Sequence, residues 1–380
     1  MTAIRDRWVE IDDSVRRAVV TALEGVFDTR FDETPLLAAE AELRHILGFP
    51  EVLLTSSATA AAHAVFLRSR ADGDTRLGLP AHVFPGIAGA AVTTGLDPVF
   101  VPVNRDLIAD AAGYDSCDAA LVHFPWGDVR GAADLVGRLP QRLVVLDVSH
   151  ATPRVPRRVW ERGGPVAAIG SLGAGKFLSG MEMGFVASNS RAFLRSVAAL
   201  GAVRREGTFD VPAPVATKLR PHPLAVAVLR AQIRRLPAKL EAHDETWEYL
   251  SPRLAEINGV RVVTTSAPAE RVFWRCLIDV NPLDGDSAAE YELVKALRTH
   301  RLPVSLPEYL DEAVPWTTAY PRPATTREAQ QAPGAAVPPP IPRRYLVLPG
   351  FVRLPRPDCD ELLRGLDAGL RHFRAARRTG

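Results

Sequence analysis

Between residues 8 and 27 apolar side chains recur at Val15, Val19, Ala22, Leu23 and Val26, the spacing of one helical face. Leu36 to Leu47, rich in Ala, Leu and Glu, predicts a second helix, and both would pack on the body of the fold or on a second subunit. From residue 51 the pattern changes to short apolar runs: 51–54, 77–80, 97–103, 119–124, 142–147, 166–169 and 185–187. Helix-forming stretches at 60–68, 84–94 and 132–139 separate the earlier ones. Strand and helix in alternation, with short connections, predict a mostly parallel sheet covered on both faces. Ligands in such sheets bind beyond the C-terminal ends of the strands.

Further on, Ser190 to Val203 reads as a helix, and a long one starts near Arg220 and runs through Leu236 to Leu254. Its basic cluster, Arg230, Arg234, Arg235 and Lys239, lacks interleaved aromatics and reads as a solvated face or subunit contact. Beyond about residue 240 the texture becomes α+β: a strand over 271–280, a helix over 288–299, a strand over 344–348 and a closing helix over 358–373. The expected organisation is an α/β large domain, 1–240 with its N-terminal helices, followed by a smaller C-terminal α+β domain, 241–380. The proline-rich stretch 321–342 reads as a surface loop, partly disordered or lying over the site entrance.

Composition narrows the function classes. With 380 residues, 47% hydrophobic and 24% charged, the chain has the balance of an ordinary soluble protein. A net charge of +2 offers no global field for nucleic acid or an acidic membrane, which leaves small-molecule chemistry. Cys117, Cys276 and Cys359 have neither disulfide-framework nor metal-ligand spacing, so no metal is expected and a reducing cytoplasm fits. The N-terminus has no hydrophobic signal core, and no stretch approaches the ~20 apolar residues of a membrane span.

Candidate chemistry gathers around Lys176, in a turn of small residues between the runs ending at Ile169 and starting at Phe185. A lysine there is a phosphate clamp or a nucleophilic amine. Gly170-Ser-Leu-Gly-Ala-Gly-Lys176 satisfies GxxxxGK, but a P-loop needs a hydroxyl next and then a helix, and Phe177 takes that place. The other reading is an amine that forms an imine with pyridoxal phosphate (PLP). That cofactor asks for a carboxylate on its pyridine nitrogen, a phosphate cradle and a flat group over its ring. Asp147 closes an apolar strand and is either that carboxylate or the cap of the next turn. Thr55-Ser-Ser-Ala-Thr59 opens a helix, so Ala58 and Thr59 offer a cradle or merely a cap. Phe84 follows a strand and can stack.

Taken in order, these landmarks resemble the DegT/StrS family of PLP-dependent, fold-type I aminotransferases that act on keto sugars and cyclitols. The segment 55–61, TSSATAA, is similar to the family's phosphate turn, 80–84 to its P-x-x-T-F, 95–100 to its GxxPVF and 122–127 to its VHLYG. Leu146-Asp-Val-Ser-His150 resembles its D-A-A-Q/H signature, Ser171-x4-Lys176 its S-F-x3-K, and Glu182 and Gly184 two positions of its GEGG. The resemblance implies that Lys176 is the Schiff-base lysine and Asp147 the pyridinium partner. It places His150 near the ring and its 3-hydroxyl, Phe84 on the ring, and Ala58, Thr59 and Ser171 at the phosphate. It further implies substrate contacts at Glu182 and Arg220, glutamate or glutamine as amino donor, and a homodimer with shared active sites. Lys218 and Arg220 fall where the family's N-x-R segment would reach from the second subunit, with the asparagine replaced. Some members of the family carry histidine in place of the lysine and catalyse dehydration, and Lys176 points away from that branch.

The sequence departs from the family at Ala58, at Val83, over Leu172-Gly-Ala-Gly175 and over 180–184. These changes bear on substrate and reaction more than on cofactor. The expected activity is amination of a keto group on a sugar, nucleotide-sugar or cyclitol in an antibiotic or polysaccharide pathway. The alternatives are another PLP reaction, elimination or carbon–carbon bond formation on an amino acid, and a non-catalytic PLP-bound regulator.

Overall fold

The protein is seen in a computed structural model that describes residues 11–26, 34–161, 164–201, 217, 219–264, 266–267, 270–280, 287–300, 302, 304–307 and 345–379. Two helices, α1 (Asp13–Val26) and α2 (Thr34–Leu47), precede the first strand. Then follow β1 (Glu51–Thr55), α3 (Ala58–Ala71), β2 (Arg76–Pro80), α4 (Pro85–Thr93), β3 (Asp97–Val101), β4 (Ala119–His123), α5 (Arg130–Val136) and β5 (Leu143–Asp147). After them come β6 (Val166–Ser171), β7 (Gly184–Ser188) and α6 (Arg191–Gly201).

These strands form one seven-stranded sheet in the order β1-β7-β6-β5-β4-β2-β3. Strand β7 runs antiparallel to both neighbours, β1 and β6, and every other pairing is parallel, so only β7 is reversed. Alternation within the central strands explains the layering. In β5, Val144 and Leu146 face the cluster that contains Leu36 and Leu43 of α2, whereas Leu143 and Val145 face the one built on α3, α4 and α6. Successive side chains point to opposite faces, so a continuously apolar strand must be covered on both.

The long helix α7 (Pro223–Glu256) leads into β8 (Val260–Val262), β9 (Cys276–Val280), α8 (Ser287–Thr299), β10 (Tyr345–Leu348) and α9 (Arg356–Thr379). Strands β10-β9-β8 make a small antiparallel sheet that packs with α8 and α9 around Trp247, Leu293 and Leu366. Val226 and Leu229 of α7 belong to the large core, while Leu250 and Leu254 belong to this smaller one. One helix therefore serves both cores, and we propose the boundary between units 1–240 and 241–380 within it. The basic cluster on α7 is structural in part: Arg230 pairs with Glu42 of α2 and Arg235 with Asp12 before α1, each at 2.8 Å.

Two differences from the sequence reading matter for the site. The apolar run 271–280 is a strand only from Cys276, because Arg271 to Trp274 turn toward the large unit instead of continuing the ladder. Strand β8 was not legible, being three residues that, among the described residues, pair only with β9. The proline-rich stretch 321–342 and Lys218 lie outside the described residues.

Candidate functional site

The strand ends set the site. In the sheet register His123 stands opposite Asp147, and Gly184 stands opposite both Ser171 and Thr55. The last residues of β1, β4, β5 and β6 thus meet at one edge, where a cavity of about 360 Å³ opens. It is lined by Ala58, Thr59, Phe84, Asp147, His150, Ser171, Lys176 and Glu182. Every residue that the sequence proposed for one subunit's own site is therefore on its wall. Arg220 is not, although the backbone nearby passes the site, with Leu219 accepting a hydrogen bond from Ser56 N–H at 2.7 Å.

Helix α3 begins at the cavity because Ser57 caps it, its hydroxyl accepting from Ala60 N–H at 3.0 Å. The first-turn N–H groups of Ala58 and Thr59 lack helical partners, which makes this end a place for an anion. Strand β7 passes so close that a Cβ on Gly184 would lie 2.3 Å from Ala58 N, so only glycine fits at its start. Ser171 lies beside this turn, its N–H bonded to the Ser149 hydroxyl at 3.0 Å.

Asp147 is buried, and its carboxylate accepts from His123 Nδ1–H at 3.2 Å and from Ser149 N–H at 3.0 Å. Burial alone pushes this carboxyl up, but the His123 and Ser149 contacts outweigh it and hold the group below the usual carboxylate range. The site so contains a fixed negative charge aimed from a strand end.

Lys176 is half-buried in a turn that does not become a helix, and its N–H bonds Gly173 O at 3.0 Å. Both neighbouring carbonyls are clamped from outside the turn. Trp274 Nε1–H donates to Gly175 O at 2.5 Å, and Lys239 Nζ donates to Phe177 O. The buried Phe177 ring packs edge-on against His243 of α7, so the position that fails the P-loop pattern is an anchor for the lysine.

Several cavity residues had no assigned role in the sequence reading: His82, His123, Trp126, Trp274, Arg275 and Val347. His82 lies inside the segment 80–84 and His123 and Trp126 inside 122–127, both similar to family motifs, and His82 also sits just past a strand end, which is a signal of its own. Trp274 carried none, because its contact is made across the two cores. Trp126 adopts φ 46°, a left-handed conformation costly for a bulky residue, and the buried Arg271 holds its carbonyl at 2.5 Å. At the next residue, Gly127 with φ 84°, a Cβ would lie 1.9 Å from Val272 O. Gly127→Ala is expected to destabilise by about 3 kcal/mol or more, read as a lower melting temperature; an unchanged one contradicts this packing.

His82 is 3% exposed, and both its ring nitrogens, like Nδ1 of His150, are buried with no hydrogen-bond partner among the described residues. Burial first, and then His123, holds His82 well below the ordinary imidazole range, against a smaller opposing pull from Asp147. His150 is held low by burial first, then by Lys176 and His123. Both rings are therefore neutral acceptors and donors at neutral pH. Below about pH 6.5 the unfolded chain takes up protons that the folded chain refuses, so this stability is present above that pH and lost as pH falls. Thermal melts are expected to show a drop between about pH 7.5 and 5.5 that is smaller in His82→Phe, by at most about 1.4 kcal/mol per pH unit. An identical drop in the variant removes His82 from this role.

No family model matches the sequence, and no curated protein matches it significantly. Solved structures do match over nearly the whole chain. A 3-amino-5-hydroxybenzoic acid (AHBA) synthase is 20% identical with a TM-score of 0.74, covering 97% of this chain and 99% of its own. PseC of Helicobacter pylori, an aminotransferase involved in the biosynthesis of pseudoaminic acid, is 14% identical with a TM-score of 0.76, covering 98% and 100%. An E. coli GDP-4-keto-6-deoxy-D-mannose-3-dehydratase with bound hydrated PLP is 13% identical with a TM-score of 0.71, covering 96% and 100%. The chain has the type I fold of the PLP-dependent aminotransferases. Since a dehydratase shares that fold, the site residues must choose the reaction. Among the described residues no helix is long and apolar enough to cross a membrane, and no cluster of three His, Cys, Asp or Glu is placed to hold a metal ion.

Proposed function

We propose that this protein is a PLP-dependent aminotransferase that aminates a keto group on a sugar, nucleotide-sugar or cyclitol in a biosynthetic pathway. One observation carries the reading: the Lys176 amine, the buried Asp147 carboxylate and the open first turn of α3 face a single cavity. PLP has three handles, a carbonyl carbon, a pyridine nitrogen and a phosphate, and these groups match them in kind. The Nδ1 of His150, buried with no hydrogen-bond partner among the described residues, fits a polar ligand held there. When bound, PLP withdraws electrons from the carbon attached to an amino nitrogen.

The chain's residues supply the rest. Lys176 would hold the cofactor through its amine and, when free of it, would carry a proton to or from the reacting carbon. Asp147 would keep a proton on the ring nitrogen, which its lowered pKa and the His123 contact favour. Ala58, Thr59 and Ser171 would hold the phosphate, Phe84 would stack on the ring, and His150 would stand near the ring and its 3-hydroxyl. We assign Glu182 to substrate contact on the cavity wall. In a cytoplasmic homodimer, Arg220 from the second copy would complete the same cavity.

Retention of Lys176 supports transamination over dehydration. The altered 180–184 segment, where Met181 adopts φ 75°, keeps a second reading in view, elimination or carbon–carbon bond formation on an amino acid. Adding glutamate or glutamine to the PLP-loaded protein tests the choice. Bleaching of the cofactor's visible band, reversed by a keto sugar or keto cyclitol, is the expected result. A band that no amino donor perturbs overturns the proposal and favours the other chemistry or a regulator.

A further inference from the structure

We infer that Trp274 is a positioning residue for the Lys176 amine. The inference rests on the reading of Lys176 as the group that captures PLP. Trp274 comes from the turn before β9, is 8% exposed and lines the cavity. Three contacts meet on its one side chain. Its indole N–H donates to Gly175 O at 2.5 Å, fixing the backbone immediately before the lysine. Its ring lies 4.0 Å from Lys176 Nζ, centroid to nitrogen. The ring also stacks on His150 at 3.8 Å with an interplanar angle of 15°.

A lysine side chain has four rotatable bonds, so fixing its backbone alone does not fix the position of its amine. The negative face of an indole attracts an ammonium and offers it a second anchor at the far end of the chain. Trp274 thus holds both ends of Lys176, the carbonyl at its base and the nitrogen at its tip. Stacking on His150 fixes the indole in turn against the strand end that carries Asp147. The amine consequently waits at the cavity wall whenever it is not bonded to the cofactor, and returns there on release. A tryptophan that merely filled space between the two cores would have neither directional contact.

The chain has four lysines, Lys176, Lys218, Lys239 and Lys295, which makes the amine observable by isotope-labelled lysine NMR in the full-length protein. In the absence of PLP the ε-methylene protons of Lys176 are expected upfield, under the ring current of Trp274. Trp274→Leu should abolish the displacement, and Trp274→Phe should retain it. Lys239, over the Phe177 ring, should be unchanged in both and reports that the fold is intact. The rate of PLP capture should fall about tenfold in Trp274→Leu and by less in Trp274→Phe, which keeps the ring over the amine but loses the N–H bond to Gly175 O. A wild-type Lys176 signal without upfield displacement, or a Trp274→Leu protein that captures PLP at the wild-type rate, overturns the inference. Wild-type protein that captures no PLP overturns the proposed function instead, while the ring-current measurement still decides whether Trp274 holds the amine.

Discussion

Lys176→Ala is expected to lower turnover by at least ~10³-fold, because in the proposed function one side chain acts both as nucleophile and as proton carrier. The melting temperature should stay near that of the wild type. The side chain is half-buried, and the clamps on its turn, Trp274 to Gly175 O and Lys239 to Phe177 O, bind backbone carbonyls that alanine retains. The direct check is borohydride reduction of the PLP-loaded protein followed by peptide mass analysis. Wild-type protein should carry the cofactor on the peptide containing Lys176, and the variant should carry none. Full turnover in the variant would remove the central claim.

Asp147→Asn should retain bound PLP and lose roughly 10²- to 10³-fold in rate, the usual effect of removing one preorganised charge from a transition state. The amide keeps the shape and can still meet Ser149 N–H with its oxygen, but it carries no charge to hold a proton on the ring nitrogen. The substitution also reads out in stability. The native carboxyl lies below its ordinary range, so its ionised form stabilises the fold above the unfolded pKa, near 4, and this is lost as pH falls through the native value. Acid unfolding of Asp147→Asn should accordingly lack that part of the pH dependence. Near-normal turnover with normal cofactor binding would exclude Asp147 from the ring-nitrogen role.

Most of the large unit was legible from residue pattern. Runs such as Leu143-Val-Val-Leu146 are apolar at every position, and only a strand covered on both faces satisfies them. The start of α3 was legible because Ser57 caps a helix and small residues follow it. Lys176 stood out because a failed P-loop left a lysine without a phosphate role. Reversal of β7 was not legible: its five buried residues would read the same in either direction. The split of 271–280 into a turn and a strand was hidden for the same reason, since Val272, Phe273 and Trp274 are as apolar as the strand after them.

By itself the sequence determined the alternation of strands and helices, the strand end that carries Asp147 and the loop that carries Lys176. Local periodicity, capping and chain order are enough for these, because each depends on residues a few positions apart. The tertiary structure alone decided what surrounds that lysine. Trp274 is 98 positions away in the chain and His82 is 94 away on the other side, as their numbers show, and only packing of the second core against the first brings the indole to 4.0 Å from the amine. No local pattern encodes such a contact, because its stabilisation comes from a shared cavity wall and not from either segment's own conformation.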